Sequence, residues 1–241
     1  SLHDALPIFD GKWSFVMVDK ALPANLAPGD SAAWETVSIP HNYGYLEAQA
    51  GKENLRGPAW YRKMIDIPKN IQGKRFFVKF EAASLVADVW INGKHLGQHR
   101  GGFSAFTFEI SNFVKPGEQN KLEVRTDNEA KPDVAPLAGD FTIFGGIYRP
   151  VHLIITDEAC ITPLDHGSPG VAILHTNVTK HEAVLDISTQ VSYLASKTDL
   201  RTFRPDIGIL EGITDAAPNS ARRTLSITLF DARGNTVVSD E

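Results

Sequence analysis

Residues 87–97 read Ala87-Asp88-Val89-Trp90-Ile91-Asn92-Gly93-Lys94-His95-Leu96-Gly97, and this stretch decides the fold class. Apolar and polar residues alternate up to Ile91, which is the period of a half-buried strand. Asn92-Gly93 then supplies two residues that tolerate positive φ, as a type I′ turn requires, so the chain is expected to double back as a hairpin. Working outward, strand patterns recur upstream at Lys12–Met17, Trp34–Ile39, Trp60–Ile67 and Lys74–Phe80. Downstream they recur at Phe103–Ile110 and Asn120–Arg125, and a Pro-rich loop, Ala130–Asp140, leads through Phe141–Gly146 to a last strand, Tyr148–Thr156. No amphipathic helix of ordinary length interrupts residues 9–157. Short strands at roughly ten-residue spacing, joined by short turns, predict a mostly antiparallel sandwich or barrel. His41–Gly57 has no apolar period and reads as a long loop, the kind of segment that carries function on a rigid scaffold.

A second unit is expected over residues 158–241. Val171–Thr176, Ala183–Tyr193 and Thr224–Phe230 read as strands, with another starting at Thr236 after the Gly234-Asn235 turn. Lys197–Ser220 is a long polar stretch broken only by Ile207–Leu210. An immunoglobulin-type sandwich needs about seven strands, so this unit reads as a partial one. The predicted fold class is therefore all-β: a jelly-roll sandwich over 9–157, then an incomplete immunoglobulin-like sandwich. Residues 1–8, SLHDALPI, precede the first pattern, do not begin with Met and are expected to be a non-native scar.

Composition narrows the function. The 241 residues are 42% hydrophobic and 22% charged, an ordinary globular mix, and no apolar run is long enough to span a bilayer as a helix. A net charge of −5 argues against nucleic acid as the main partner. The single cysteine, Cys160, excludes an internal disulfide and a multi-cysteine zinc site, and is expected to be a small buried residue at the unit junction. Eight histidines show no metal-ligand spacing. No feature fixes a cellular compartment.

Six short motifs in order carry a resemblance. Asp10-Gly11-Lys12-Trp13, Val37-Ser38-Ile39-Pro40-His41, Gly57-Pro58-Ala59-Trp60-Tyr61-Arg62-Lys63, Ala87–Lys94, Gly101-Gly102-Phe103 and Gly145-Gly146-Ile147-Tyr148-Arg149-Pro150-Val151 resemble the amino-terminal region of glycoside hydrolase family 2. The resemblance implies a jelly-roll sugar-binding domain and an immunoglobulin-like domain, followed in the full enzyme by a catalytic (β/α)₈ barrel. A retaining glycosidase works with two carboxyl groups about 5 Å apart. In this family both are glutamates on the barrel, so no catalytic residue is expected here and the chain alone is expected to be inactive. The expected partners are a carbohydrate substrate, preferentially a β-galactoside, the downstream barrel and a second copy in a homo-oligomer. No cofactor is expected in this chain, although the resemblance allows sodium or magnesium in the full-length enzyme.

The resemblance also singles out substrate-binding residues. Asp140, in Ala138-Gly139-Asp140-Phe141, is similar to an aspartate that family β-galactosidases send from this domain to the active site. Its carboxylate can accept strong hydrogen bonds from hydroxyls and help ligate a cation, whereas the plainer reading is a loop residue in an Asx turn. Asn54, in Glu53-Asn54-Leu55-Arg56-Gly57, matches the loop on which related galactosidases place an asparagine near the sugar, and an amide suits vicinal hydroxyls. Arg56 is its weaker neighbour. His41 is expected to fix the entry of its loop by hydrogen bonds, since no nucleophile motif accompanies it. Trp13, Trp60 and Trp90 are expected in the core, Arg149 in an ion pair, and Asn128-Glu129 at a solvated strand end. Two other classes fit the same fold: a stand-alone carbohydrate-binding module, and a structural sandwich that assembles oligomers. A β-glucuronidase-type member is the alternative within the family.

Overall fold

The computed structural model describes residues 9, 11–19, 23, 25–51, 55–137, 143–180, 183–193, 201–203, 227–230 and 233–240. The protein is all-β, with one short helix among the described residues. In chain order the first unit holds β1 (Lys12–Met17), β2 (Glu35–Ser38), α1 (Tyr45–Gln49), β3 (Pro58–Asp66), β4 (Lys74–Phe80), β5 (Val86–Ile91), β6 (Lys94–Arg100), β7 (Phe106–Glu109), β8 (Gln119–Asp127) and β9 (Val151–Asp157). They form a six-stranded sheet, β2-β1-β3-β8-β5-β6, and a three-stranded sheet, β7-β4-β9. Every pairing is antiparallel.

The core lies between these sheets. From the larger sheet it receives Trp13 and Phe15 on β1, Tyr61 and Ile65 on β3, Val89 and Ile91 on β5, and Leu122 and Val124 on β8. Phe76, Val78 and Phe80 on β4 face them, with Val151 and Leu153 on β9. Burial of these large apolar side chains drives the two layers together. The Asn92-Gly93 turn has φ of 49° and 79°, as a type I′ hairpin needs, and the Asn92 side chain also donates to Phe113 O at 2.8 Å and accepts from Lys121 N at 2.9 Å.

Two expectations change, and a third holds with a refinement. β5 is buried along its whole length rather than half-buried. Its outward residues are covered: Asp88 accepts from His95 Nε2 at 3.0 Å and Gln98 Nε2 at 2.9 Å, and the Trp90 ring lies 4.7 Å from that of His95. Trp13, Trp60 and Trp90 are all buried, as expected; side-chain alternation puts Trp60 and Trp90 on the sheet face opposite the Trp13 layer, where their rings meet at 4.8 Å. The stretch 41–57 carries the five-residue helix α1.

The second unit contains β10 (Ala159–Ile161), β11 (Val171–Val178), β12 (Ala183–Tyr193) and β13 (Arg201–Phe203) in one sheet, and a separate hairpin of β14 (Ile227–Phe230) and β15 (Thr236–Asp240). The 207–210 patch and residues 1–8 lie outside the described residues. Arg75 on β4 joins the units. Its guanidinium grips both Glu109 carboxylate oxygens, at 3.0 and 2.8 Å, donates to Ser192 Oγ on β12 at 2.8 Å, and lies 3.5 Å from Cys160 Sγ. Cys160 is half-buried at this junction. Among the described residues no helix is long and apolar enough to cross a membrane.

Candidate functional site

Pro58 at the start of β3 and Val86 at the start of β5 both pair with Asp127 at the end of β8. The segments that precede or follow these residues therefore emerge at one end of the roll. Asn128, the next residue, is fully buried and holds two of those segments. Its Nδ2 donates to Leu55 O at 3.1 Å and to Ile143 O at 2.9 Å, and its Oδ1 accepts from Gly57 N at 2.9 Å. Both donors and an acceptor site of the amide are thus used on main-chain partners. This corrects the reading of Asn128-Glu129 as a solvated strand end. Glu129 is half-buried, 3.8 Å from Lys131, and its backbone N–H donates to Asp127 Oδ1 at 3.0 Å.

A second set of contacts ties in the segment at 41–45. Tyr43 and Gly145 exchange backbone hydrogen bonds at 3.0 and 3.2 Å, and Tyr43 OH donates to Gly57 O at 2.8 Å. A Cβ on Gly145 would sit 2.1 Å from the Tyr43 ring, and one on Gly146, at φ 113°, 2.5 Å from Tyr61 OH. The Gly145-Gly146 pair is therefore required by close approach and by backbone conformation. His41 plays the anchoring part expected of it: its N–H donates to Ile147 O at 2.8 Å, and Nδ1 lies 2.8 Å from Tyr61 OH. Burial lowers the His41 pKa, favouring the neutral ring, and pushes both the Tyr43 and Tyr61 phenols up, so neither is a nucleophile or base near neutrality.

The substrate-binding residues inferred from sequence fall on these segments. Asn54 and Asp140 lie outside the described residues, but Leu55, which follows Asn54, and Ile143, three residues after Asp140, are joined by the one Asn128 amide. Arg56 lies between Leu55 and Gly57, half-buried, with no ion-pair partner among the described residues. Arg149, expected in an ion pair, is exposed with its guanidinium 5.7 Å from the Tyr148 ring centroid and has no ion-pair partner among the described residues. Among the described residues no three His, Cys, Asp or Glu side chains gather as a metal site.

The family model for the glycosyl hydrolases family 2 sugar binding domain matches residues 6–157. The chain belongs to this family. Over 161 residues, 66% of this chain and 23% of the relative, it is 46% identical to a β-glucuronidase of Bacteroides fragilis. It is 35% identical to a β-galactosidase of Thermoanaerobacter pseudethanolicus over 55% of this chain and 18% of that protein. Among solved structures, Bacteroides uniformis β-glucuronidase 2, covalently bound to cyclophellitol-6-carboxylate aziridine, superposes with a TM-score of 0.70 at 34% identity, covering 77% of this chain and 22% of that one. A Bacteroides fragilis protein described as a putative β-galactosidase gives 0.76 at 30% identity, over 98% of this chain and 32% of that one. The chain thus spans about a fifth of the length of the curated relatives it matches.

Within this glycosyl hydrolase family 2 chain, Asn128, Tyr43 and Tyr61 are the residues that sequence reasoning missed. The Gly145-Gly146 pair was the available signal, because adjacent glycines before a strand imply something large pressed against them. Nothing in the sequence indicates that the pressing groups are tyrosines more than eighty residues upstream.

Proposed function

We propose that this chain is the amino-terminal sugar-binding part of a retaining exo-β-glycosidase acting on terminal β-glucuronides, and that its loops at 54–56 and 138–142 line the substrate pocket beside a downstream barrel. The observation that carries the reading is the 46% identity to the Bacteroides fragilis β-glucuronidase. The carboxylate-bearing inhibitor bound to the Bacteroides uniformis relative supports it. In this reading Arg56 gains a role: a half-buried guanidinium without a described ion-pair partner suits a uronate carboxylate, which it can grip through two parallel hydrogen bonds. Asn54 and Asp140 address the ring hydroxyls.

A β-galactoside substrate, preferred from the sequence context of Asn54 and Asp140, is the second reading. It is favoured by the Thermoanaerobacter relative and by the similarity to the putative β-galactosidase along nearly the whole chain.

The test is kcat/KM of the full-length enzyme on 4-nitrophenyl β-D-glucuronide and β-D-galactoside. Glucuronide preference is expected, with Arg56→Gln lowering kcat/KM on the glucuronide about tenfold or more, as loss of a charge-assisted hydrogen bond of about 1.5–3 kcal/mol requires. Asp140→Ala is expected to cost a similar amount on either sugar. Galactoside preference with an unaffected Arg56→Gln enzyme would hand the assignment to the second reading, and hydrolysis by the 241-residue chain itself would overturn both.

A further inference from the structure

A groove of about 320 Å³ opens at the same end of the roll, lined by Arg100, Gly101, Gly102, Phe103, Ser104 and Asp133 and closed by Val134 and Ala135. Its walls are fixed from below. Gly101 N donates to Leu85 O at 2.9 Å, and Tyr148 OH donates to Gly102 O. A Cβ on Gly102 would meet Leu85 Cδ2 at 2.9 Å, so the 101–104 loop sits directly on the buried cluster of Leu85, Val86 and Val134. Ile143 packs on that cluster, and its carbonyl is one of the two that Asn128 holds. The groove and the Asn128 cluster are therefore neighbours separated by one packed side chain.

Two features of the lining call for a ligand. Phe103 is 62% exposed on a loop whose backbone is held in place, where the sequence pattern placed it in a strand. Beside it Arg100 and Asp133 form a flat bidentate pair, Nε to Oδ2 at 2.9 Å and Nη2 to Oδ1 at 2.5 Å, with Nη1 further held by Gln98 at 3.1 Å. Both side chains remain open to solvent, at 40% and 57% exposure, so N–H donors and carboxylate lone pairs are free to reach a ligand. Mutual attraction keeps the Asp133 carboxyl below, and the Arg100 guanidinium above, the usual range, so the pair stays ionised across the working pH. A pyranose has an apolar C–H face and a rim of vicinal hydroxyls. An exposed phenyl ring next to a fixed donor–acceptor pair complements both.

We propose that this groove is a second carbohydrate site, in which a pyranose ring stacks on Phe103 and its hydroxyls bond to the Arg100–Asp133 pair. It goes beyond the proposed function and does not depend on which glycoside the parent enzyme cleaves. The experiment is a titration of the ¹⁵N-labelled 241-residue chain with methyl β-D-glucopyranoside and methyl β-D-galactopyranoside. Sorbitol, which has the hydroxyls without a ring face, is the control. The proposal expects saturable amide shifts at 100–104 and 133–135 with the glycosides and none with sorbitol. Phe103→Ala should weaken binding about three- to tenfold, the worth of one aromatic contact, and Phe103→Trp should restore it. Phe103 is exposed enough that neither variant threatens the core. Unchanged affinity in Phe103→Ala, equal shifts with sorbitol, or no saturable shift with either glycoside overturns the groove. Shifts confined to 55–57, 128 and 143–147 also overturn it while leaving the proposed function standing.

Discussion

Replacing Asn128 by Ala removes one side chain and unpairs three main-chain groups: Leu55 O, Ile143 O and Gly57 N. Each such hydrogen bond contributes about 1 kcal/mol net, and a buried group left without a partner costs about 1–3 kcal/mol. Water can enter at the edge of the cluster and recover part of that loss, so the expected destabilisation is about 3 kcal/mol, against a total of about 5–15 kcal/mol for a domain. Asn128→Asp sharpens the test, because it keeps the shape and the acceptor but aims a carboxylate at two carbonyl oxygens. That environment raises the folded-state pKa of the new carboxyl above its unfolded value of about 4. A raised pKa gives stability that is present below the unfolded value and lost as pH climbs through the folded one. The Asp variant should therefore lie nearest wild type in acid and fall away toward neutrality, while the Ala variant keeps a constant deficit. Urea unfolding followed by tryptophan fluorescence measures both, since Trp13, Trp60 and Trp90 all lie in the roll. Amide exchange should quicken at 55–57 and 143–147. An Asn128→Ala protein within about 1 kcal/mol of wild type, with exchange at those segments unchanged, refutes the clamp.

Other perturbations test the neighbouring contacts. Gly145→Ala places a methyl 2.1 Å from the Tyr43 ring and should cost at least about 3 kcal/mol, read as a drop in the urea midpoint, because the backbone bridge leaves the ring nowhere to go. Arg75→Met removes the bond to Ser192 and leaves Glu109 with only the Ser111 hydroxyl; about 2–4 kcal/mol should be lost, and limited proteolysis between β9 and β11 should be faster than in wild type. The His41 pKa is lowered by burial from its ordinary 6.5. Stability should hold above pH 6.5 and decline as the pH falls below it, with the slope reduced in His41→Gln; a urea midpoint flat from pH 7.5 to about 5 in wild type contradicts this.

Much of the roll was legible because its signals are local. Period-2 alternation located β1, β4, β5 and β8 to within a residue or two, and Asn92-Gly93 fixed a turn whose geometry needs only two residues. What escaped was decided by distant partners. Trp60 and Trp90 carry the same alternation as Trp13, yet the outer face of the sheet is itself covered, so alternation alone could not tell inside from outside. Asn128 looked like a strand end because it is one; its burial depends on segments more than seventy residues before and fifteen after it. Phe103 was assigned to a strand by composition, but the glycines before it set the chain down on Leu85 and delay the strand to Phe106.

The clamp also bears on how freely the sequence of the two loops can vary. The Asn128 side chain hydrogen-bonds main-chain atoms of the two loops, and Tyr43 reaches the first through a carbonyl. An apolar anchor would need a matching side chain on each loop and would tie its sequence to packing. A hydrogen bond to a backbone carbonyl or N–H makes no such demand, since every non-proline residue offers both groups. Side chains on the residues so held, Leu55 and Ile143, can therefore change without breaking these bonds. Relatives named β-glucuronidase and β-galactosidase both resemble this roll, as an anchor that makes no demand on the loop side chains permits.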